Sequence, residues 1–176
     1  MRFFLAAFLT LCTWTQGWGQ RVHLFPDDQL VFRDMIAHVE NNVVRMGATW
    51  SGEVAFTLQD DGVWDEVHLH RGFSSSALDI AYTVREGQLV LGDTHFSDGI
   101  LYTFSEGQIF MGDSTFPMDV AYSLRKERPA FPSRSGAPTF GVYKEDSRAW
   151  TDRVAVVEGV ATPAQLYALL TAAGLL

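Results

Sequence analysis

Large apolar side chains alternate with small or polar ones in three segments that start twenty residues apart, at 80–84, 100–104 and 120–124. In each segment the first, third and fifth positions are large and apolar or aromatic, and the second and fourth are mostly Ala, Thr or Ser. Because successive side chains on a strand point to opposite faces, the pattern predicts strands with one core face and one thin face.

The alternation also predicts which side chains lie on each face. We expect burial on a common face for Ile80, Tyr82, Val84, Ile100, Tyr102, Phe104, Val120, Tyr122 and Leu124. The thin face carries the small residues Ala81, Thr83, Ala121 and Ser123. Small side chains would give a binding partner few anchors.

The same segments belong to a longer repeat. Residues 88–107 and 108–127 are two copies of one twenty-residue unit, in which Gly92 matches Gly112 and Tyr102 matches Tyr122. Further copies occupy 68–87 and, after an interruption, 140–159, and fainter copies occupy 43–62 and 23–42. A fixed period of this length is the sequence signature of a repeat architecture.

Each unit is predicted to be a β-hairpin. A short apolar run ends at Gly, a loop of about seven residues with turn chemistry follows, and the second strand ends near Glu-Gly in several copies. The predicted fold is an all-β antiparallel meander of four to six hairpins with one C-terminal α-helix. Closure into a ring or barrel is favoured over an open stack, because exposed sheet edges invite aggregation.

The C-terminal segment changes period. Thr162 is an N-cap residue, Pro163 stands at the first helical position and Gln165 follows two residues later. With the leucines that follow, this predicts a helix ending near Gly174. We expect residues 160–176 to pack on the sheet of the repeat domain, 20–159, where the helix could cover an open edge.

The N-terminus has the features of a secretory signal peptide. Arg2 is the charged region, 3–11 is a short apolar region, and small residues before Gln20 predict a signal peptide over 1–19. Its removal would take away Cys12, the only cysteine, and leave a chain without disulfides. We therefore expect a secreted or periplasmic protein, and the absence of cysteine favours a bacterial source over an animal extracellular one.

The charge of the chain disfavours two classes of partner. The net charge of −8 becomes −9 when Arg2 leaves, since residues 1–19 contain no acid. An acidic surface argues against nucleic acid and against anionic membrane surfaces. No membrane-spanning segment is expected after signal cleavage, because the apolar run is too short to span a bilayer.

One segment is predicted to be a partner-binding site. Residues 128–139 interrupt the repeat with a loop in the most basic part of the acidic chain, and long loops on a rigid scaffold often carry function. Interfaces gain most from aromatic residues and Arg. The candidate contact residues for an acidic protein or envelope component are Arg125, Arg128, Phe131, Arg134 and Trp150.

A metal site is the alternative hypothesis. His68 and His70 alternate around Leu69, so both point to one face of a strand. Two such histidines are half of a zinc site, and a nearby acid such as Asp93 would be needed to extend it. The aspartates that recur in the loops are instead interpreted as turn-forming residues.

Motifs of nucleophilic, zinc-protease and phosphate-binding enzymes are absent from the sequence, and no cofactor is predicted. The Gly-Asp-Ser-Thr-Phe-x-x-Asp-Val-x-Tyr pattern at 112–122 resembles uncharacterised secreted bacterial β-hairpin-repeat proteins of flower-like architecture. It is more distantly similar to MORN-type repeats, whose Tyr-x-Gly-x-Trp signature it lacks. The resemblance implies an architecture and no activity. The sequence therefore predicts a non-enzymatic scaffold or protein-binding repeat protein.

Overall fold

Twelve antiparallel strands form one closed barrel in the computed structural model, which describes residues 21–26, 30–62, 66–94, 96–127 and 136–176. The predicted signal peptide lies outside the described residues. The strands are β1 Val22–Pro26, β2 Ala37–Glu40, β3 Val43–Met46, β4 Val54–Asp60, β5 Val67–Arg71, β6 Ile80–Arg85, β7 Gln88–Leu91, β8 Ile100–Ser105, β9 Gln108–Met111, β10 Val120–Glu127, β11 Thr139–Lys144 and β12 Arg153–Glu158. One helix, α1 Pro163–Ala172, follows them.

The first and last strands close the barrel. Every other strand pairs with its neighbours in sequence, and β1 pairs with β12 through His23 opposite Glu158 and Leu24 opposite Val157. The units at 23–42, 43–62, 68–87, 88–107, 108–127 and 140–159 each contain two strands, so the ring consists of six strand pairs. The predicted fold class, an antiparallel meander with a C-terminal helix, is confirmed, and the meander is closed.

The two ends of the barrel differ in their connections. At the turn end, tight turns such as Asn41-Asn42 join the strands, and positive φ at both residues is the geometry of a type I′ hairpin turn. At the loop end lie six connections that are longer than this two-residue turn, residues 27–36, 47–53, 72–79, 92–99, 112–119 and 145–152. Five of these carry a short 3₁₀ turn. All six loops therefore meet at one end of the barrel.

Part of the predicted core face is wrong, because β6, β8 and β10 each contain a β-bulge. The register shifts at the second residue of β6, β8 and β10, so Ile80, Ile100 and Val120 pair with His70, Val90 and Phe110. A bulge inserts one extra residue into a strand. The first predicted core position therefore lies on the opposite face, where Val120 is still buried, whereas the tyrosine two residues later faces the barrel interior as predicted.

The thin face is largely closed to solvent at its threonines. Thr83 is 1% exposed, and its hydroxyl donates to the carbonyl of Gly92 at 2.7 Å. Thr103 makes the same bond to Gly112 at 2.8 Å. Because each threonine reaches the start of the next loop, the repeat uses this face to hold the loops.

The C-terminal helix lies inside the barrel. The predicted capping box is present, with Thr162 and Gln165 each accepting from the other's backbone N–H. Tyr167 is fully buried and donates to the carbonyl of Gly87 at 2.9 Å, and burial raises its pKa above the usual 10.0. On another wall, Tyr122 donates to the carbonyl of Leu175 at 2.6 Å. The prediction that the helix could cover a sheet edge is wrong, because a closed barrel has no edge.

Within the described part of the chain, no helix combines the length and the apolar character needed to cross a bilayer.

Candidate functional site at the loop end

Exposed apolar side chains are concentrated at one end of the barrel. Among the described residues, Val160 is the one large exposed hydrophobic side chain that lies elsewhere. All the others lie in the loop-end connections or at the last residue of a strand that leads into them. We call these side chains the apolar crown: Val31, Phe32, Trp50, Phe73, Leu78, Leu91, Phe96, Met111, Phe116, Met118 and Trp150. Scattered single exposed hydrophobics are ordinary, but a concentration of them marks an interaction site.

Local hydrogen bonds give the crown loops a fixed shape. In residues 112–119 the hydroxyl of Ser114 donates to Asp119 at 2.5 Å and accepts from the backbone N–H of Phe116 at 3.1 Å. Ser74 and Asp79 repeat the hydroxyl–carboxylate bond at 2.6 Å, and Ser147 and Asp152 also form it. These recurring aspartates are structural, as predicted, although the partner is a serine hydroxyl five residues earlier.

The closed loops present apolar side chains to solvent at equivalent positions. Leu78 and Met118 occupy the middle of their 3₁₀ turns and are 96% and 87% exposed. Phe96 and Phe116 precede theirs and are 75% and 70% exposed. Neighbouring strands lie about 4.8 Å apart, so equivalent positions in adjacent strand pairs are about 10 Å apart. Exposed apolar side chains therefore recur from one strand pair to the next around the loop end.

A broad depression adjoins the crown. It has a volume of about 830 Å³, and Met111, Met118 and Tyr102 line it together with Lys144 and Asp146. The lining is about half polar, because Glu145 and Asp152 also belong to it. The loop end therefore offers both protruding side chains and a concave surface beside them.

The two histidines of the metal hypothesis have different environments. His68 forms a group with Asp61 and Glu66, whose potential ligand atoms all lie within 4.8 Å of one another. His70 is 2% exposed, and its Nδ1 lies 3.0 Å from the carbonyl oxygen of Ser76. The structure thus places His68 beside acids that the sequence prediction had not named, and Asp93 is not part of this group.

The six-membered ring of strand pairs agrees with the family that the sequence matches. Residues 10–132 match the model of a family described as 6-fold beta flower protein. The chain belongs to this family. The predicted resemblance to flower-like repeat proteins is confirmed, and it brings no characterised activity.

Other comparisons add little to the beta flower match. The chain is similar to the X-ray structure of a protein from Arabidopsis thaliana, with 15% identity, 88% coverage of each chain and a TM-score of 0.46. No curated protein matches the sequence.

The described structure does not bring the predicted partner-binding residues of this beta flower protein together. Arg125 donates from Nη2 to the carboxylate of Asp146 at 2.9 Å, and its guanidinium lies 5.3 Å from the ring centre of Tyr143. Trp150 is 70% exposed and belongs to the crown. The remaining candidates lie outside the described residues: Arg128, Phe131 and Arg134.

Two tyrosines on β10 and β11 are held as protonated hydrogen-bond donors. Burial raises the pKa of Tyr122, and electrostatic repulsion between its phenolate and that of Tyr102 raises it further. Burial, followed by the hydrogen bond to Glu127, raises the pKa of Tyr143. Glu127 also accepts from Arg153 at 2.6 Å. Both phenols therefore stay neutral to a higher pH than a free tyrosine, and each donates one hydrogen bond, Tyr122 to Leu175 and Tyr143 to Glu127.

Of the crown residues, only Trp150 was predicted from the sequence as a contact residue. The signal was present, because Phe96 and Phe116 recur at the same position in consecutive copies. Their loops were interpreted only through their turn-forming residues. Apolar side chains repeated in polar loops would have pointed to a surface, since loops normally carry polar residues.

Proposed function

We propose that this beta flower protein is a non-enzymatic extracytoplasmic binding module that docks a partner protein on its apolar crown. One observation carries the proposal: the exposed large apolar side chains are gathered at the loop end, and among the described residues Val160 alone lies elsewhere. Exposing such a patch is unfavourable in water unless a partner covers it.

The composition of the crown supports a protein as the partner. Aromatic residues and methionine are enriched in protein interfaces, and they make up most of the crown. Hydroxyl–carboxylate bonds, such as Ser114 to Asp119, close the three loops 72–79, 112–119 and 145–152, so these loops would lose little conformational freedom on binding. A preorganised apolar rim is suited to a partner of fixed shape.

The acidic residues of the crown loops favour a partner with a basic surface. Asp93, Asp113 and Asp146 are exposed in the same loops, and the whole chain carries a net charge of −8. A complementary partner surface would be apolar with basic residues around it. Anionic bilayers are disfavoured, because these acids would approach negative lipid headgroups.

The proposed extracytoplasmic location is supported by the pattern of the N-terminal residues. Residues 1–19 have the pattern of a secretory signal peptide, and Cys12 within them is the only cysteine. Docking would then take place in the periplasm or outside the cell, and the proposed partner is a protein or another envelope component.

Site-specific photo-crosslinking tests the docking surface. A photoreactive phenylalanine analogue replaces Leu78 or Met118 in the crown, or Val160 at the turn end as the matched exposed control. We expect ultraviolet irradiation in the native envelope to yield a discrete adduct from the two crown positions and none from position 160. Crosslinks are mapped on both chains by mass spectrometry.

The same experiment separates the other occupants. Adducts of twice the protomer mass would indicate a second copy, and adducts to phospholipid would indicate a membrane; either replaces the proposed partner. Equal adducts from positions 78 and 160 would show that the crown has no special role, and the proposal would be abandoned.

A metal-binding role is the second candidate, and the grouping of Asp61, Glu66 and His68 favours it. One imidazole and two carboxylates are a ligand set suited to zinc. Glu66 is 6% exposed and lies 3.7 Å from Arg85, which already partly neutralises it. The ion pair with Arg85 is the competing explanation for the buried acid.

Elemental analysis tests the metal role on protein purified without chelator and dialysed against zinc. If the group binds zinc, one equivalent is expected in the wild type and in His70→Ala, whose ring belongs to the Ser76 contact, and none in His68→Ala. Substoichiometric zinc in the wild type, or equal retention by His68→Ala, rules the site out.

The contact role predicted for 128–139, with Arg125, Arg128, Phe131 and Arg134, stays a prediction.

A further inference from the structure

A second concave site lies at the turn end, opposite the crown. It is a cavity of about 180 Å³ between the start of α1 and the strands β8, β10, β11 and β12. Its main walls are Phe104, Leu124, Phe140, Val157 and Leu166, and Lys126 also lines it. We call it the turn-end cavity.

The cavity arises because α1 is not centred in the barrel. The helix packs mainly against β2, β3, β4 and β5. A barrel of more than eight strands is wider than its own side chains can fill, and one helix of about 10–12 Å diameter fills only part of the remaining space. The wall formed by β8 and β10–β12 is therefore left with a gap toward Leu166.

The walls make the interior suitable for an apolar group. Two phenylalanine rings and the aliphatic side chains of Leu124, Val157 and Leu166 surround it. An apolar cavity of roughly 150 Å³ is known to accept a benzene molecule. The turn-end cavity is therefore large enough for one aromatic ring or a short branched chain.

The mouth carries positive charge. Lys126 follows Leu124 by two residues on β10, so its side chain points to the same lumenal side, and it is exposed. Among the described residues that line the cavity, it is the only charged one. Pro163, the first residue of α1, lies at the same mouth, so the positive end of the helix dipole adds to the charge of the lysine.

We propose that the turn-end cavity binds a small amphipathic monocarboxylate, with its apolar part between Phe104, Phe140 and Leu166 and its carboxylate at Lys126. The positive charge at this mouth contrasts with the chain as a whole, which carries a net charge of −8. The cavity and the crown are at opposite ends of the barrel, so the failure of one proposal leaves the other standing.

Methyl NMR with 3-phenylpropionate as the probe tests the proposal on the mature protein. We expect saturable shifts of the Leu124, Val157 and Leu166 methyl signals, with the Leu78 methyls of the crown unchanged. Lys126→Met keeps the aliphatic chain and removes the charge, and it should weaken binding of the acid about fivefold, as expected for a solvent-exposed ion pair. The neutral analogue 3-phenylpropan-1-ol should bind wild type and Lys126→Met alike.

Arg33→Met is the charge-matched control, because Arg33 is an exposed cation at the other end of the barrel. It should bind the acid as the wild type does. The proposal is overturned if the cavity methyls show no saturable shift, if the shifts appear at the crown instead, or if Lys126→Met and Arg33→Met bind the acid with equal affinity.

Discussion

Replacing Tyr167 with alanine is expected to lower the free energy of unfolding by about 3–5 kcal/mol, the usual cost of truncating a large buried aromatic side chain. Tyr167 is fully buried in the cluster that joins α1 to the barrel wall. Its hydroxyl also bonds the carbonyl of Gly87 in a turn between two strands. The substitution therefore removes apolar contacts and a link between the helix and the wall.

Urea denaturation followed by circular dichroism measures this loss. Tyr167→Phe keeps the ring and removes only the hydroxyl, so it should cost about 1 kcal/mol. Trp150→Ala removes a large aromatic side chain that is 70% exposed, and its effect should stay within about 0.5 kcal/mol. If Tyr167→Ala unfolds at the same urea concentration as the wild type, the helix does not lie inside the barrel.

The fold class could be predicted from the sequence because the determining information is local and repeated. Tyr82, Tyr102 and Tyr122 recur at one position of the unit and mark the lumenal face. The helix could be predicted equally well, because Thr162 and Gln165 form its capping box and both can be recognised in the sequence. Periodicity and capping act over a few residues, so one sequence is enough to detect them.

The position of the helix and the bulges could not be predicted in the same way. Whether α1 lies on or inside the sheet depends on closure between β1 and β12, which are far apart in sequence. The bulge at Ala81 leaves the apparent alternation from Ile80 to Val84 intact, although it reverses the face of Ile80. Such features are set by strand pairing, which hydrophobic periodicity does not report.

The candidate sites were the least predictable. The crown assembles side chains such as Phe32, Leu78 and Trp150 from distant loops, and only the ring brings them to one end. The turn-end cavity depends on the gap between Leu166 and a wall that includes Phe104. A site made of residues from several repeats has no linear motif.

A disulfide between the first and last strands should stabilise the protein by about 4 kcal/mol. His23 and Glu158 are paired residues of β1 and β12, and their side chains meet at 3.1 Å. Paired residues of antiparallel strands are about 4.5–5.5 Å apart at Cα, within the range that a disulfide spans. Bridging ends so distant in sequence removes a large loop entropy from the unfolded chain. The measurement compares the oxidised and reduced forms of one double variant, His23→Cys with Glu158→Cys, in urea.

The yield of that disulfide is the most direct test of ring closure, on which the crown, the lumenal helix and the turn-end cavity all depend. The mature double variant is oxidised under mild conditions and analysed by non-reducing mass spectrometry. His23→Cys with Gln108→Cys is the control, because β1 and β9 are not neighbours in the ring. A closed barrel predicts nearly complete formation of a monomeric disulfide between positions 23 and 158, and little between 23 and 108. An open sheet would leave both pairs reduced or join separate molecules, and either outcome would contradict the closed six-membered ring.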